Sequence, residues 1–272
     1  MLAVRTLTAV ALLAVFLAAV FFLERAVFAL LIGAIVACAA HEWAALSRLR
    51  GSSAIAYAAG CAALYGAVAA WAWPIDASAM PVIAILIVAS AFWGLIVPLW
   101  LARGMQSSSR VLLSAAGLAV LVPAALAMVA LPPWLMLTIL GVVWISDTAA
   151  YFVGRRFGRH KLAPSVSPGK TIEGAAGAIL ASLTYAVILA ASMPAIGAHF
   201  SGFAWATYAA GATVLCVAGI LGDLFESGAK RYAGVKDSGK LLPGHGGILD
   251  RVDSACAVLP VGALLVSWAG IP

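Results

Sequence analysis

The chain is built as a series of long apolar runs interrupted by short polar breaks. Runs long enough to cross a hydrocarbon core, about 20 residues each, fall at approximately 6–22, 26–47, 54–73, 80–101, 111–131, 133–152, 172–196, 203–225 and 252–269. The pattern predicts an all-α fold, a polytopic membrane helical bundle of nine transmembrane helices. The first run follows Arg5 as a secretory signal would. It leads into Phe21-Phe22-Leu23-Glu24, not into a small-residue cleavage site, and so reads as a retained helix.

Composition agrees with the pattern. Hydrophobic residues make up 65% of the chain, well above the roughly 45–50% of a soluble domain, and the mean hydropathy is +1.10. Basic residues tend to stay on the cytoplasmic side. With the N-terminus inside, nine spans put Arg5, Arg48, Arg50, Arg103, Arg110, the basic group at 155–170 and the group at 230–251 on that face; only Arg25 falls outside. A net charge of +6 concentrated on one face points to anionic lipid headgroups, not to nucleic acid. Cys38, Cys61, Cys216 and Cys256 lie in apolar spans without metal-type spacing, which suits core packing.

Acidic residues divide the chain. Only Glu24, Glu42 and Asp76 precede Asp147. One membrane domain covers residues 1–272, with scaffold helices in 1–132 and the polar chemistry in the helices and two cytoplasmic loops of 133–272. His41-Glu42 near the end of the second span reads as a polar helix end beside Arg48 and Arg50, where long side chains can snorkel, and is placed outside the site.

Three constellations could carry chemistry. Asp147 lies toward the cytoplasmic end of the sixth span, on one helix face with Trp144, Thr148 and Tyr151; pairing with an arginine and a direct role are both open. Ser167-Pro168-Gly169-Lys170-Thr171-Ile172-Glu173 ends like a phosphate-binding P-loop, but Pro164 stands where that motif needs glycine, and the segment joins two membrane helices. Ser167 and Pro168 instead suit the N-cap and first position of a helix, whose free N–H groups could hold an anion. The richest segment is 222–253. Continued helix puts Asp223, Glu226, Ser227 and Lys230 on one face; a turn containing Gly244, His245, Gly246 and Gly247 then returns the chain to Asp250 and Asp253. The two helix ends can aim Asp223 and Asp250 at one point, in the manner of a magnesium site completed by substrate phosphates. Alone, Asp250 or Asp253 would serve equally as a helix cap.

Ser227-x-x-Lys230-Arg231, Lys236-Asp237-Ser238-Gly239 and Pro243-Gly244-His245-Gly246-Gly247-Ile248-Leu249-Asp250-Arg251-Val252-Asp253 together resemble the signature of the CDP-diacylglycerol synthase (phosphatidate cytidylyltransferase) family. Ser146 to Tyr151 and Ser167 to Gly174 resemble that family's other motifs. Ala229 and Gly169 depart from it, standing where a larger apolar residue and a second basic residue are usual. The resemblance implies transfer of a cytidylyl group from CTP to phosphatidate, releasing pyrophosphate, with Mg2+ required, at the cytoplasmic face of a bacterial inner (plasma) membrane. Its partners are CTP, phosphatidate and the bilayer, and a homodimer is admitted. It implies metal ligation by Asp223 and Asp250, with Asp253 and Asp147 next. Ser227, Lys230, Arg231, Lys236, Asp237, Arg251, Gly244, Gly246, Gly247, Ser167, Lys170, Thr171 and Glu173 would then bind the substrates, and His245 would orient or protonate the leaving pyrophosphate. A membrane lipid kinase and a transporter are the alternatives; the transporter suits poorly because the polar groups gather at one face without a repeated half.

Overall fold

A computed structural model describes residues 2–105, 109–198, 204–242, 244 and 246–271. Among the described residues, nine long helices carry the fold: α1 (Leu2–Phe22), α2 (Arg25–Leu46), α3 (Ser52–Trp71), α4 (Met80–Arg103), α5 (Arg110–Ala130), α6 (Pro133–Phe157), α7 (Ile172–Ser192), α8 (Ala204–Ala233) and α9 (Leu249–Ala269). Among the described residues, α2 to α9 are the eight helices long and apolar enough to cross a membrane. The predicted first span is helical too, with the shorter apolar stretch Thr8–Phe22.

Hydropathy located the spans but not the lengths of α6, α8 and α9. Helix α6 runs on to Phe157, α8 runs on to Ala233, and α9 begins at Leu249. The 30 residues of α8 make a rod of about 45 Å against a hydrocarbon core of about 30 Å. Its last turns therefore project beyond the apolar layer, where polar side chains are tolerated. Hydrophobicity reports the thickness of that layer and says little about where a helix stops.

Helix α9 is central and packs against α2, α4, α5, α6 and α8. Every residue from Ser254 to Ala263 is buried, so Asp250 and Asp253 begin a core helix and enter the middle of one end of the bundle. Beneath them lies an aromatic cluster. A π-helical turn, Phe92–Ile96, interrupts α4 just before Pro98; proline lacks an N–H and crowds the preceding turn, and a widened turn accommodates it. Phe92, Trp93, Trp100 and Trp43 all meet Phe225 of α8, at centroid separations of 5.8, 5.8, 5.4 and 6.0 Å. Phe225 thus anchors the turn of α8 that carries Asp223 and Glu226.

The opposite end explains the exceptional Arg25. Its guanidinium donates to the carbonyls of Val129 (3.1 Å) and Ala130 (3.2 Å), and to that of Ile75. The first two are at the end of α5, where helix carbonyls have no internal partner. The four cysteines are free thiols.

Between α6 and α7 the chain forms an antiparallel hairpin, β1 (Lys161–Ala163) and β2 (Ser167–Thr171). This corrects the predicted helix start at Ser167-Pro168. The cap is Thr171, whose Oγ1 accepts from Gly174 N at 3.1 Å. Ser167, opposite Ala163, and Pro168 lie in the extended backbone of β2, so a strand does precede the helix, although no P-loop glycine accompanies it.

Candidate active site

Helix α8 continues unbroken past Lys230, as the face argument requires. Ser227 Oγ donates to Asp223 Oδ1 at 3.2 Å, one turn away. Lys230 Nζ lies 3.3 Å from Glu226 Oε1 and 2.8 Å from Asp250 Oδ1. These side chains are only 13% (Lys230), 3% (Glu226) and 9% (Asp250) exposed. Burying ions is costly, and mutual attraction offsets that cost only with close geometry. The short Lys230–Asp250 pair therefore ties the ends of α8 and α9 together.

The hairpin closes the other side. Lys170, on β2, places Nζ 2.6 Å from Asp223 Oδ2, and Arg231 Nε donates to Val166 O at 3.3 Å. A cavity of about 580 Å³ opens between the hairpin and the helices, walled by Asp147, Ser167, Lys170, Thr171, Asp223, Asp250 and Asp253 among others. Four carboxylates, Lys170 and Arg155 thus share one cavity at one end of an apolar bundle.

Approach of α8 to α9 depends on Gly222. A Cβ there would stand 2.5 Å from Asp253 O and 3.0 Å from Ser254 Cα. Both are backbone atoms, which cannot swing aside. Gly222→Ala is accordingly expected to cost about 1–3 kcal/mol, seen as a lower melting point in detergent, and to lower activity by spreading Asp223 from Asp253; wild-type melting and turnover would show that the helices can part without consequence.

Asp250 is more heavily engaged than a metal ligand alone needs to be. Its Oδ2 accepts from Ser238 N (3.0 Å), Ser238 Oγ (3.0 Å) and Gly247 N (2.8 Å). Ser238 and Gly247 thus hold the connection between α8 and α9 onto this carboxylate, and Leu242 N bonds to Gly246 O at 2.9 Å. Gly244 and Gly246 take left-handed φ of 74° and 83°, a backbone conformation favouring glycine.

Glu42 is the main correction to the sequence reading. Far from being a snorkelling helix end, it is buried. Oε1 accepts from Ile248 N at 3.0 Å; Oε2 accepts from Leu249 N at 3.0 Å and from Ser238 Oγ at 3.1 Å. Neither Asp250 nor Asp253 caps the N–H groups of Ile248 and Leu249; the carboxylate from α2 does. The charge at position 42 was the one sequence signal, but Glu42 and Ile248 stand 206 positions apart, and no local pattern joins them.

The other predicted residues fall in three groups. Asp147, Asp223, Asp250, Asp253, Ser167, Lys170 and Thr171 line the cavity. Ser227, Lys230 and Arg231 brace its walls through the contacts above. Lys236, Asp237 and Arg251 are exposed on the loop and the first turn of α9. Glu173 turns back to the hairpin, accepting from Arg159 N at 3.0 Å and meeting His160 Nδ1 at 2.7 Å. Gly247 makes room for Glu42 and Ser238, whose oxygens a Cβ would meet at 2.4 and 2.2 Å. Ala229 is fully buried. His245 lies outside the described residues. Among the described residues no group of three His, Cys, Asp or Glu forms a ready-made metal cage.

This architecture can be set beside known proteins. A phosphatidate cytidylyltransferase of Pseudomonas aeruginosa is 40% identical over 279 aligned positions, covering 99% of this chain and 98% of that protein. Phosphatidate cytidylyltransferases of Staphylococcus saprophyticus and Staphylococcus epidermidis are 47% and 48% identical over 125 residues, 46% of each chain. The profile of the cytidylyltransferase family matches residues 3–269, nearly the whole bundle and all of the cavity, and the chain belongs to that family.

Proposed function

We propose that this protein is a phosphatidate cytidylyltransferase: it joins phosphatidate to the cytidylyl group of CTP, giving CDP-diacylglycerol and pyrophosphate. The observation that carries this reading is the cavity where Lys170 meets Asp223 beside Asp147, Asp250 and Asp253, in a chain of this family with a near-full-length relative of that name. A phosphate oxygen of phosphatidate attacks the α-phosphorus of CTP. A new P–O bond forms, the bond from the α-phosphorus to the bridging oxygen breaks, and pyrophosphate leaves. The nucleophile is already ionised at neutral pH, so the barrier lies in bringing polyanions together, and positioning and charge neutralisation supply the catalysis.

The residues suit those tasks. Lys170 sits on the hairpin over the cavity and can move from Asp223 to an incoming phosphate with little backbone change. Lys230, Arg231, Lys236 and Arg251 surround the same end of the bundle and add positive charge for CTP and phosphatidate. Asp223 retains lone pairs beyond its contacts with Lys170 and Ser227, and Asp147, Asp250 and Asp253 add hard oxygen donors on the same wall. This set suits magnesium, which is commonly held by one or two carboxylates with waters and substrate phosphates completing its shell. When bound, it would neutralise the polyphosphate and stabilise charge on the leaving group. The basic residues clustered at this end of the bundle support a cavity on the cytoplasmic face of a bacterial plasma membrane, facing cytosolic CTP.

Membranes containing the protein, supplied with phosphatidate and CTP, should form CDP-diacylglycerol, cease to do so when divalent cations are chelated, and resume on addition of magnesium. Absence of product would overturn the assignment. Full activity under chelation would remove the metal from it.

A further inference from the structure

We infer that Glu42 is a positioning residue for cytidylyl transfer, acting from the otherwise apolar first half of the chain through Ser238 onto Asp250. Three observations converge on it. Glu42 holds the two N–H groups that open α9, at 3.0 Å each, where α9 has no side-chain cap of its own; a carboxylate is favoured there by both hydrogen bonding and the helix dipole. Ser238 Oγ lies 3.1 Å from Glu42 Oε2 and 3.0 Å from Asp250 Oδ2, bridging two carboxylates of which the second holds Lys230. Gly239 and Gly247 both crowd Glu42, whose nearest oxygens a Cβ at either would meet at 2.4 Å. Ser238, Gly239, Gly247, Ile248 and Leu249 therefore all gather around this one side chain. Its loss would free the start of α9 and the loop together, shifting Asp250 and Lys230 relative to the cavity.

Glutamine at position 42 matches the shape but not the bonding. One of its two terminal atoms is an NH2 group, which would face an N–H or O–H donor on whichever side it took. Glu42→Gln is expected to lower kcat/KM for CTP about tenfold, less than the roughly 10²-fold that a 1 Å misplacement of reacting groups can cost. Trypsin should also cleave faster at the exposed Lys236 and Lys240 in purified, folded protein. Because the effect passes through Ser238, S238A in the E42Q background should add little further loss. Wild-type kcat/KM with wild-type protection of the loop would overturn the inference, as would full additivity of the two substitutions, which marks independent roles. Should E42Q fail to accumulate, S238A alone carries the test. It leaves the α9 cap in place and is expected to lose activity and loop protection together; wild-type values of both would contradict the bridge. The kinetic arm rests on the cytidylyltransferase reading, whereas the proteolysis arm does not. Inactive wild-type protein whose loop still opens on E42Q would sink the former and leave the latter standing.

Discussion

Asp223→Asn should reduce CDP-diacylglycerol formation by about 10²–10³-fold, the scale set by removing one preorganised electrostatic group from a reacting centre. The substitution keeps size and the contact with Ser227 but removes the negative charge that Lys170 approaches to 2.6 Å. Two consequences follow, of opposite sign. Lys170, no longer neutralised, would attract the CTP phosphates at least as well as before, so KM should hold or fall. The oxygen that would share a cation with those phosphates becomes a poor ligand, so kcat should collapse. Stability should change little, because Asp223 and Lys170 are 30% and 25% exposed and such pairs contribute about 1 kcal/mol or less. Steady-state kinetics in detergent, paired with a melting curve, separate these effects. Near-normal turnover would remove Asp223 from the site.

Lys230→Met should instead damage both activity and the fold. It deletes the cation between Asp250 and Glu226, leaving two buried carboxylates facing each other, and breaking a buried pair on one side costs about 3–5 kcal/mol. The melting point should drop markedly. Adding Glu226→Gln should recover part of it, since one of the stranded charges is gone. Activity should not return, because the proposed role of Lys230 toward substrate phosphate cannot be supplied by Met. What activity survives should show KM for CTP and phosphatidate raised more than the magnesium requirement is changed. A K230M protein that melts like wild type, or whose main defect is magnesium dependence, would mean the role of Lys230 has been misassigned.

The division between what could and could not be read from the sequence has a physical basis. Apolar runs report the hydrocarbon thickness, so the spans and their order were legible, whereas α6, α8 and α9 extend into water where composition no longer constrains them. The face shared by Asp223, Ser227 and Lys230 was legible because helical spacing is local and the helix continues. That the two helix ends bring Asp223 and Asp250 to one cavity was legible, whereas the pairing of Lys230 with Asp250 was not. Contacts between distant segments were not: Lys170 reaching Asp223 needs the hairpin, which the Ser-Pro helix-start signal concealed. Glu42 was misread for the same reason. At the end of an apolar helix a carboxylate looks like an interfacial charge, and only the arrival of α9 beside α2 reveals the two N–H groups it satisfies.

In cytidylyl transfer one phosphorus of CTP goes to the lipid and the other two leave together. Purified protein given phosphatidate, magnesium and CTP labelled separately on its α- and γ-phosphorus tests it most directly. The α label should appear in CDP-diacylglycerol and the γ label in pyrophosphate, in equal amounts. Appearance of the γ label in lipid, with release of a nucleoside diphosphate, would contradict the account and make the protein a lipid kinase.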